Sequence, residues 1–158
     1  MDESAHPGEE ARALVRRVAS AKAAAVLGDD PADVILGADT IVVLDGEILG
    51  KPRDDREAAA VLARLSGRFH EVLTGIAVRQ ESRLVAHVEE TRVQFAEMSG
   101  EEIAWYVASG EPRDKAGAYG IQGLASRFVT RIEGSYTNVV GLPMAAVERL
   151  LRAAWQQP

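Results

Sequence analysis

The stretch VILGADTIVV, residues 34–43, combines the pattern of a buried strand with a carboxylate at its centre. Its apolar and β-branched residues predict a buried strand. A lone ionised carboxylate is costly to bury, so Asp39 must be paired, hydrogen-bonded, metal-bound or close to water. Gly37 and Ala38 leave room for close approach of a backbone or a ligand. Asp39 is therefore either a functional carboxylate or an aspartate at a strand break that accepts backbone hydrogen bonds.

Helix and strand signals alternate on both sides of this stretch, which predicts the α/β class. Helix formers bounded by capping residues or glycines predict helices at 9–27, 54–67 and 99–110, and one that starts at 141–143. Runs of β-branched residues predict strands at 34–43, 70–79, 83–95 and 126–133. Asp45-Gly46 predicts a hairpin turn, and the glycine-rich stretch 111–125 predicts a loop.

The alternation of apolar residues along 83–95 changes phase partway along the strand. Residues 84–88 place their apolar side chains on one face, whereas Val93 and Phe95 follow the opposite phase. An extra residue in a strand produces such a change, so we expect a bulge or bend near Glu89–Glu90.

Composition narrows the class of protein. The chain has 158 residues, 47% of them hydrophobic and 27% charged, which suits one soluble domain over 1–158. No apolar run approaches the roughly 20 residues of a membrane-spanning helix. The absence of cysteine excludes disulfides and cysteine-ligated metals and favours a cytoplasmic protein. The formal net charge of −6 argues against a nucleic acid polymer as partner, but a small anion is compatible with it.

Two lysines are candidates for binding an anion. Lys51 follows Gly50 and precedes Pro52, which restricts it to an extended conformation with a defined direction. It is otherwise an ordinary surface lysine after a hairpin. Lys22 lies four residues after Val18 on the first predicted helix, in line with apolar side chains. Its ammonium must therefore either reach water or meet an anion.

The segment DKAGAYGIQGLA, residues 114–125, contains three glycines and Gln122. Glycine-rich loops can place backbone amides against a ligand, and the Gln122 amide offers a base edge both a donor and an acceptor. A purely structural loop is equally compatible with the spacing, which matches no phosphate-loop or dinucleotide motif. Ser135 and Asn138, in the turn-rich segment GSYTNVVGLP, are interpreted as bonding to backbone.

Four segments together resemble the Maf family of nucleoside triphosphate pyrophosphatases. They are GADTIVVLDGEILGKP at 37–52, LSGRFHEVLTG at 65–75, SGEPRDKAGAYGIQG at 109–123 and GSYTNVVGLP at 134–143. The resemblance implies a Maf/ITPase-like fold, with a mixed twisted sheet flanked by helices and a cleft between two lobes. It also implies a cytoplasmic homodimer that cuts a nucleoside triphosphate into the monophosphate and pyrophosphate.

The resemblance also implies roles for the charged candidates. Asp39 matches the proton acceptor or metal ligand, and Glu3 matches an acidic pair that binds metal. Lys22 and Lys51 match lysines at the phosphates. The implied cofactor is Mg²⁺ or Mn²⁺, which suits oxygen ligands and neutralises phosphate charge.

Two further positions are implied to govern substrate choice. Thr40 and Gln122 match family positions linked to specificity, and the glutamine of YGIQG resembles the branch acting on dTTP and UTP, and not the branch acting on 7-methyl-GTP. Modified pyrimidine nucleotides are also possible substrates of this branch.

The chain departs from the family pattern in its first residues. Family members carry a strand and a Ser-x-Ser-Pro-Arg-Arg motif before the acidic pair, so we interpret 1–158 as shortened, through a start assigned too late or a true truncation. The alternative function is a non-catalytic nucleotide-binding or septum-formation-associated interaction protein. Retention of Asp39, Lys51 and Gln122 favours the enzyme, whereas loss of the arginine-containing phosphate loop favours the alternative.

Overall fold

A five-stranded sheet with helices on both faces organises the chain, and the computed structural model describes residues 2–30 and 32–155. The strands are β1 (Val34–Leu44), β2 (Glu47–Leu49), β3 (Phe69–Gln80), β4 (Arg83–Phe95) and β5 (Val129–Glu133). The helices are α1 (Ala11–Ala25), α2 (Asp55–Leu65), α3 (Gly100–Ala108), α4 (Tyr136–Val140) and α5 (Met144–Trp155). Three 3₁₀ turns lie at Glu111–Asp114, Ala116–Ala118 and Leu124–Phe128. No helix in the described ranges is long and apolar enough to cross a membrane.

The sheet order is β2-β1-β3-β4-β5, and the α/β class is confirmed. All four described pairings are antiparallel, so the expectation of a mixed sheet is wrong for this part of the chain. Tight turns explain the pairing of successive strands, since β1 and β2 are joined by Asp45-Gly46 as the sequence predicts. Both turn residues have positive φ, at 53° and 80°, the combination that a type I′ two-residue hairpin requires.

The bulge expected near Glu89–Glu90 is absent from the described strand, because β4 pairs with β3 in continuous register from Arg83 to Gln94. The change of apolar phase has another cause. Val88 lies on the face covered by α1, whereas Val93 and Phe95 lie on the opposite face in the large core cluster under α2 and α3. The strand is therefore regular through Glu89–Glu90 and is buried on different faces at its two ends. Its register shifts only at Gln94–Phe95, in the pairing with β5.

Helix α1 lies unusually close to the sheet because two strand residues opposite it are glycines. A Cβ built on Gly37 would lie 2.3 Å from the Ala19 carbonyl oxygen, and one on Gly75 would lie 2.1 Å from the Val15 carbonyl oxygen. The backbones of helix and strand occupy the space that side chains would take. This close approach sets the distance from the α1 side chains to β1.

Capping residues fix the ends of the other helices. Ser99 and Glu102 form a reciprocal capping box at the start of α3. Asp54 caps α2 by accepting from the Glu57 amide, and the Glu57 carboxylate accepts from the Arg53 backbone amide. Ser135 caps α4, a short helix that the sequence reading did not separate from the turn before α5.

Candidate active site

Two adjoining cavities form one cleft at the outer edge of β1. The first, about 320 Å³, is named here the apolar compartment and is lined by residues that include Val42, Val72, Tyr119, Gln122 and Val139. The second, about 600 Å³, is named the charged compartment and includes Glu3, Lys22 and Asp39. Both have the volume of small-molecule sites. They share Thr40, Lys51, Ala116 and Gly141, so they form one continuous space.

Three sequence-predicted side chains meet in the charged compartment. Lys22 Nζ lies 2.8 Å from Asp39 Oδ1 and 3.1 Å from Glu3 Oε1. The exposed fractions of the side chains are 13% for Asp39, 32% for Lys22 and 56% for Glu3. Partial burial disfavours the Lys22 ammonium, but its hydrogen bonds to Asp39 and Glu3 outweigh this, so the pKa of Lys22 is raised. Lys22 therefore remains a cation between two carboxylates.

The fold explains why Lys22 reaches Asp39. Asp39 pairs with Gly75 in the β1–β3 ladder and shares the α1 face with Gly37. Because α1 packs directly on these glycines, Lys22 in its last turn lies above the carboxylate. The strand is continuous through Asp39, so the interpretation of Asp39 as a residue at a strand break is wrong.

The edge of β1 opens at this point. Strand β2 pairs only with Val42–Leu44, so among the described strands none covers the outer edge beside Asp39 and Thr40. The two side chains alternate to opposite faces of the sheet. The cleft reaches both because it wraps around this edge.

Lys51 stands at the junction of the two compartments and lines both. Its side chain is exposed, and within the described residues it forms neither a hydrogen bond nor an ion pair. The buried Pro52 follows it, and the Gly50 carbonyl accepts a hydrogen bond from Gly117 at 3.2 Å, which anchors the segment. Lys51 is thus a cation presented to the cleft on a fixed backbone.

The predicted loop carrying Gln122 is a series of short turns packed on β1. Gly117 has a φ of 67°, and a Cβ there would lie 2.8 Å from Val42 Cγ2, so this position requires glycine. The Glu111 carboxylate accepts from the Leu124 amide at 2.9 and 3.0 Å and braces the other end. The Gln122 side chain lines the apolar compartment and makes no hydrogen bond to the part of the chain that the structure describes.

A buried histidine that the sequence reading did not single out supports this compartment. His70 is 2% exposed, and its Nε2 lies 2.7 Å from Tyr119 Oη. Burial lowers the pKa of His70 to about 4 and raises the pKa of Tyr119. The pair is therefore uncharged at neutral pH. The Tyr119 hydroxyl is turned toward the core, while the residue lines the compartment.

A buried polar network lies beneath the cleft. Thr40 Oγ1 is 2.9 Å from Thr74 Oγ1, and Asn138 Nδ2 donates to the Val72 carbonyl and to Thr91 Oγ1, each at 3.0 Å. The expectation that Asn138 bonds to backbone is confirmed. The sequence reading missed Thr74 and Thr91, since isolated threonines on a strand give no local signal that they will be buried together.

The donor set of the charged compartment suits a hard divalent cation. Glu3 and Asp39 direct one oxygen each toward the same point, which Lys22 Nζ occupies. Two carboxylates together with substrate phosphates form a usual environment for Mg²⁺. No group of three or more His, Asp or Glu side chains suited to a metal was found among residues 2–30 and 32–153. A metal held by Glu3 and Asp39 would therefore take further ligands from phosphate oxygens.

Comparison with known proteins decides the family, because the family described as Maf-like protein matches residues 1–154. The chain belongs to the Maf family. It is 54% identical to a dTTP/UTP pyrophosphatase of Anaeromyxobacter sp. (strain Fw109-5), across 99% of this chain and 80% of the relative. It is 55% identical to the dTTP/UTP pyrophosphatase of Symbiobacterium thermophilum, across 96% and 78%. The corresponding protein of Pyrococcus abyssi is 49% identical, across 95% and 78%.

Proposed function

We propose that this chain hydrolyses dTTP and UTP at the bond between the α and β phosphates, releasing the nucleoside monophosphate and pyrophosphate. The observation that carries this proposal is the continuity of the cleft, in which Thr40 and Lys51 join an apolar compartment to a charged one. A nucleoside triphosphate has the same two parts, a flat base and a polyanion. Relatives about half identical in sequence are named for this activity.

The charged compartment supplies the groups that hydrolysis requires. The oxygen of a water molecule attacks the α phosphorus, the bond from that phosphorus to the bridging oxygen breaks, and pyrophosphate leaves with the bonding electrons. Asp39 accepts the proton of the attacking water. Lys22 and Lys51 offset the negative charge of the phosphates and of the leaving group.

Mg²⁺ or Mn²⁺ is the proposed cofactor, and Glu3 and Asp39 would hold it. When bound, such an ion neutralises phosphate charge and lowers the pKa of a coordinated water. Lys22 forms ion pairs with both carboxylates. It would bind the phosphates after one of these two ion pairs is broken.

The apolar compartment is the proposed nucleoside site. Valine side chains and Tyr119 provide apolar walls for a base, while the Gln122 amide can pair with its polar edge. Thr40 is the second proposed specificity residue. The cytoplasmic homodimer stays a prediction from the family resemblance, and light scattering of the purified chain tests the dimer.

The proposal is tested by pyrophosphate release from dTTP and UTP, with dATP and GTP as comparison nucleotides and Mg²⁺ or Mn²⁺ present. We expect selective turnover by the chain and a loss of at least about 100-fold in Asp39→Asn. The matched control is Asp29→Asn, an exposed aspartate outside the cleft, which should keep full activity. Absence of turnover by the folded chain, or equal activity in both variants, contradicts the proposal. Binding of nucleotide without turnover would favour the non-catalytic alternative.

A further inference from the structure

Thr40 stands where the two compartments meet, and its hydroxyl belongs to a chain of polar groups. Thr40 Oγ1 lies 2.9 Å from Thr74 Oγ1 and 3.4 Å from the carbonyl oxygen of Gly141. Thr74 Oγ1 in turn lies 3.3 Å from the carbonyl oxygen of Asn138. Thr74 is fully buried, so its hydroxyl contacts the network and not the cleft.

The sheet register brings the two threonines together. Thr40 on β1 is the direct cross-strand partner of Thr74 on β3, and their side chains share the face opposite α1. The segment that follows Asn138 passes over this face and contributes Gly141 to both compartments. The network therefore connects the strand floor of the cleft to its wall.

Counting hydrogens defines what Thr40 can offer a ligand. Each hydroxyl has one hydrogen, and one of the two must donate across the 2.9 Å contact. If Thr40 donates to Thr74, the Thr74 hydrogen goes to the Asn138 carbonyl. If Thr74 donates to Thr40, the Thr40 hydrogen goes to the Gly141 carbonyl. In both arrangements every hydrogen has an acceptor inside the protein, and Thr40 presents a lone pair to the cleft.

We propose that Thr74 is a positioning residue that holds the Thr40 hydroxyl as a hydrogen-bond acceptor toward the nucleoside. This inference rests on the proposed function, since it takes a pyrimidine nucleotide as the ligand. The group recognised is a donor, either the N3–H of uracil and thymine or the 3′-hydroxyl of the sugar. Cytosine carries an accepting N3, and two acceptors that face each other leave both unpaired, so the arrangement disfavours cytosine.

Thr74→Val tests this role because valine has nearly the shape of threonine but no hydroxyl. Without the Thr74 oxygen, only the long 3.4 Å contact with the Gly141 carbonyl competes for the Thr40 hydrogen. The Thr40 hydroxyl can then turn and donate to the N3 of cytosine. We expect the preference for the recognised nucleotide to fall by about 3- to 10-fold, the value of one neutral hydrogen bond. Thr74→Ser keeps the hydroxyl and should stay within about twofold of the unmodified chain.

The pair of variants separates positioning from packing. Thr74→Ser removes a buried methyl group and lowers the melting temperature without changing the preference. Thr74→Val also lowers the melting temperature, because the hydrogen-bonding groups around it lose a partner. Both variants are therefore less stable, so a loss of nucleotide preference in Thr74→Val but not in Thr74→Ser is not explained by lower stability.

The measurement is the dissociation constant, by calorimetry with Mg²⁺, for three analogues that cannot be cleaved at the α–β bond. They are α,β-methylene-UTP, α,β-methylene-CTP and the 3′-deoxy form of the first. A reduced UTP-to-CTP preference in Thr74→Val supports the proposal with N3–H as the donor. A reduced preference for UTP over its 3′-deoxy form supports it with the sugar as the donor.

The proposal is overturned when both preferences in folded Thr74→Val match those of the unmodified chain. If Thr74→Val does not fold, Thr40→Val decides the question in the same assay, since unchanged preferences there would show that no acceptor exists at this position. Failure of the unmodified chain to bind any analogue contradicts the proposed function as well. Binding without altered preference contradicts the positioning role alone.

Discussion

The two compartments of the cleft hold their polar groups by different means. In the charged compartment, Lys22, Asp39 and Glu3 are ionised side chains that keep some contact with solvent. In the apolar compartment, Tyr119 and the adjoining Thr40 make uncharged hydrogen bonds to the buried partners His70 and Thr74. Partly exposed ion pairs contribute little to stability, whereas an unpaired buried polar group costs considerably more. Changes in the first region should therefore affect chemistry, and changes beneath the second should affect both folding and recognition.

The largest expected effect is the loss of the helix contact on which the charged compartment depends. In Gly75→Ala the new methyl group would meet the Val15 backbone, so we expect a loss of about 3 kcal/mol or more in the free energy of unfolding. Displacement of α1 also moves Lys22 away from Asp39. Urea unfolding and pyrophosphate release measure the two consequences. The control is Gly100→Ala, where nothing lies within 4 Å, and equal destabilisation there would contradict the close-approach explanation.

Lowering the pH tests the comparison, because it protonates the buried His70 beneath the apolar compartment. The pKa of His70 is about 4 in the folded chain and 6.5 when unperturbed, so the unfolded chain binds the proton first as pH falls. The free energy of unfolding should decrease by about 3 kcal/mol between pH 6.5 and 4 from this group alone. His70→Gln lacks the titrating ring, and its urea midpoint should depend less on pH over that range. Identical pH dependence would show that His70 is not buried as a neutral ring.

Asn138→Leu should break the network beneath the cleft. The Val72 carbonyl and the Thr91 hydroxyl both lose a donor, which we expect to cost about 2 kcal/mol of stability. The wall beside Gly141 should loosen, so KM for UTP rises while the effect on kcat is smaller. Thermal melting and steady-state kinetics test this expectation. A stable variant with unchanged KM would show that the network does not position the wall.

In contrast to Asn138→Leu, Lys22→Gln should lower turnover while having the smallest effect on the free energy of unfolding. Its ion pairs are partly exposed, so we expect a change below about 1 kcal/mol in the free energy of unfolding. Turnover should fall for all nucleotides by a similar factor, because the lost charge faces phosphates that they share. The control Arg53→Gln removes an exposed pair outside the cleft and should leave turnover unchanged. A strong stability loss in Lys22→Gln would contradict the contrast between the compartments.

The sequence was informative where a local pattern determines structure. The Asp45-Gly46 turn, the Ser99 cap and the run of residues around Asp39 each carry their signal within a few positions, and the structure has the corresponding hairpin, helix start and strand. The family resemblance implied roles for Lys22 and Asp39, but it did not predict that the two side chains would meet. Their contact depends on the glycines of β1 and β3, which allow α1 to approach.

The sequence was uninformative where contacts depend on strand register. His70 meets Tyr119 across 49 positions, and Thr40 meets Thr74 across 34, so no local spacing relates them. The prediction of a bulge in β4 was wrong for a similar reason. The pattern assumed one buried face along the whole strand, whereas α1 covers one end of β4 and the opposite face is buried at the other.

The most direct test of the separate roles of the two compartments compares kcat/KM for UTP and CTP in Asp39→Asn and Gln122→Leu. We expect Asp39→Asn to lower both values by at least about 100-fold and to leave their ratio nearly unchanged. Gln122→Leu should lower the UTP-to-CTP ratio by about 10-fold while retaining turnover, because the base edge loses its partner. A changed ratio in Asp39→Asn together with an unchanged ratio in Gln122→Leu would contradict the assignment of chemistry to one compartment and recognition to the other.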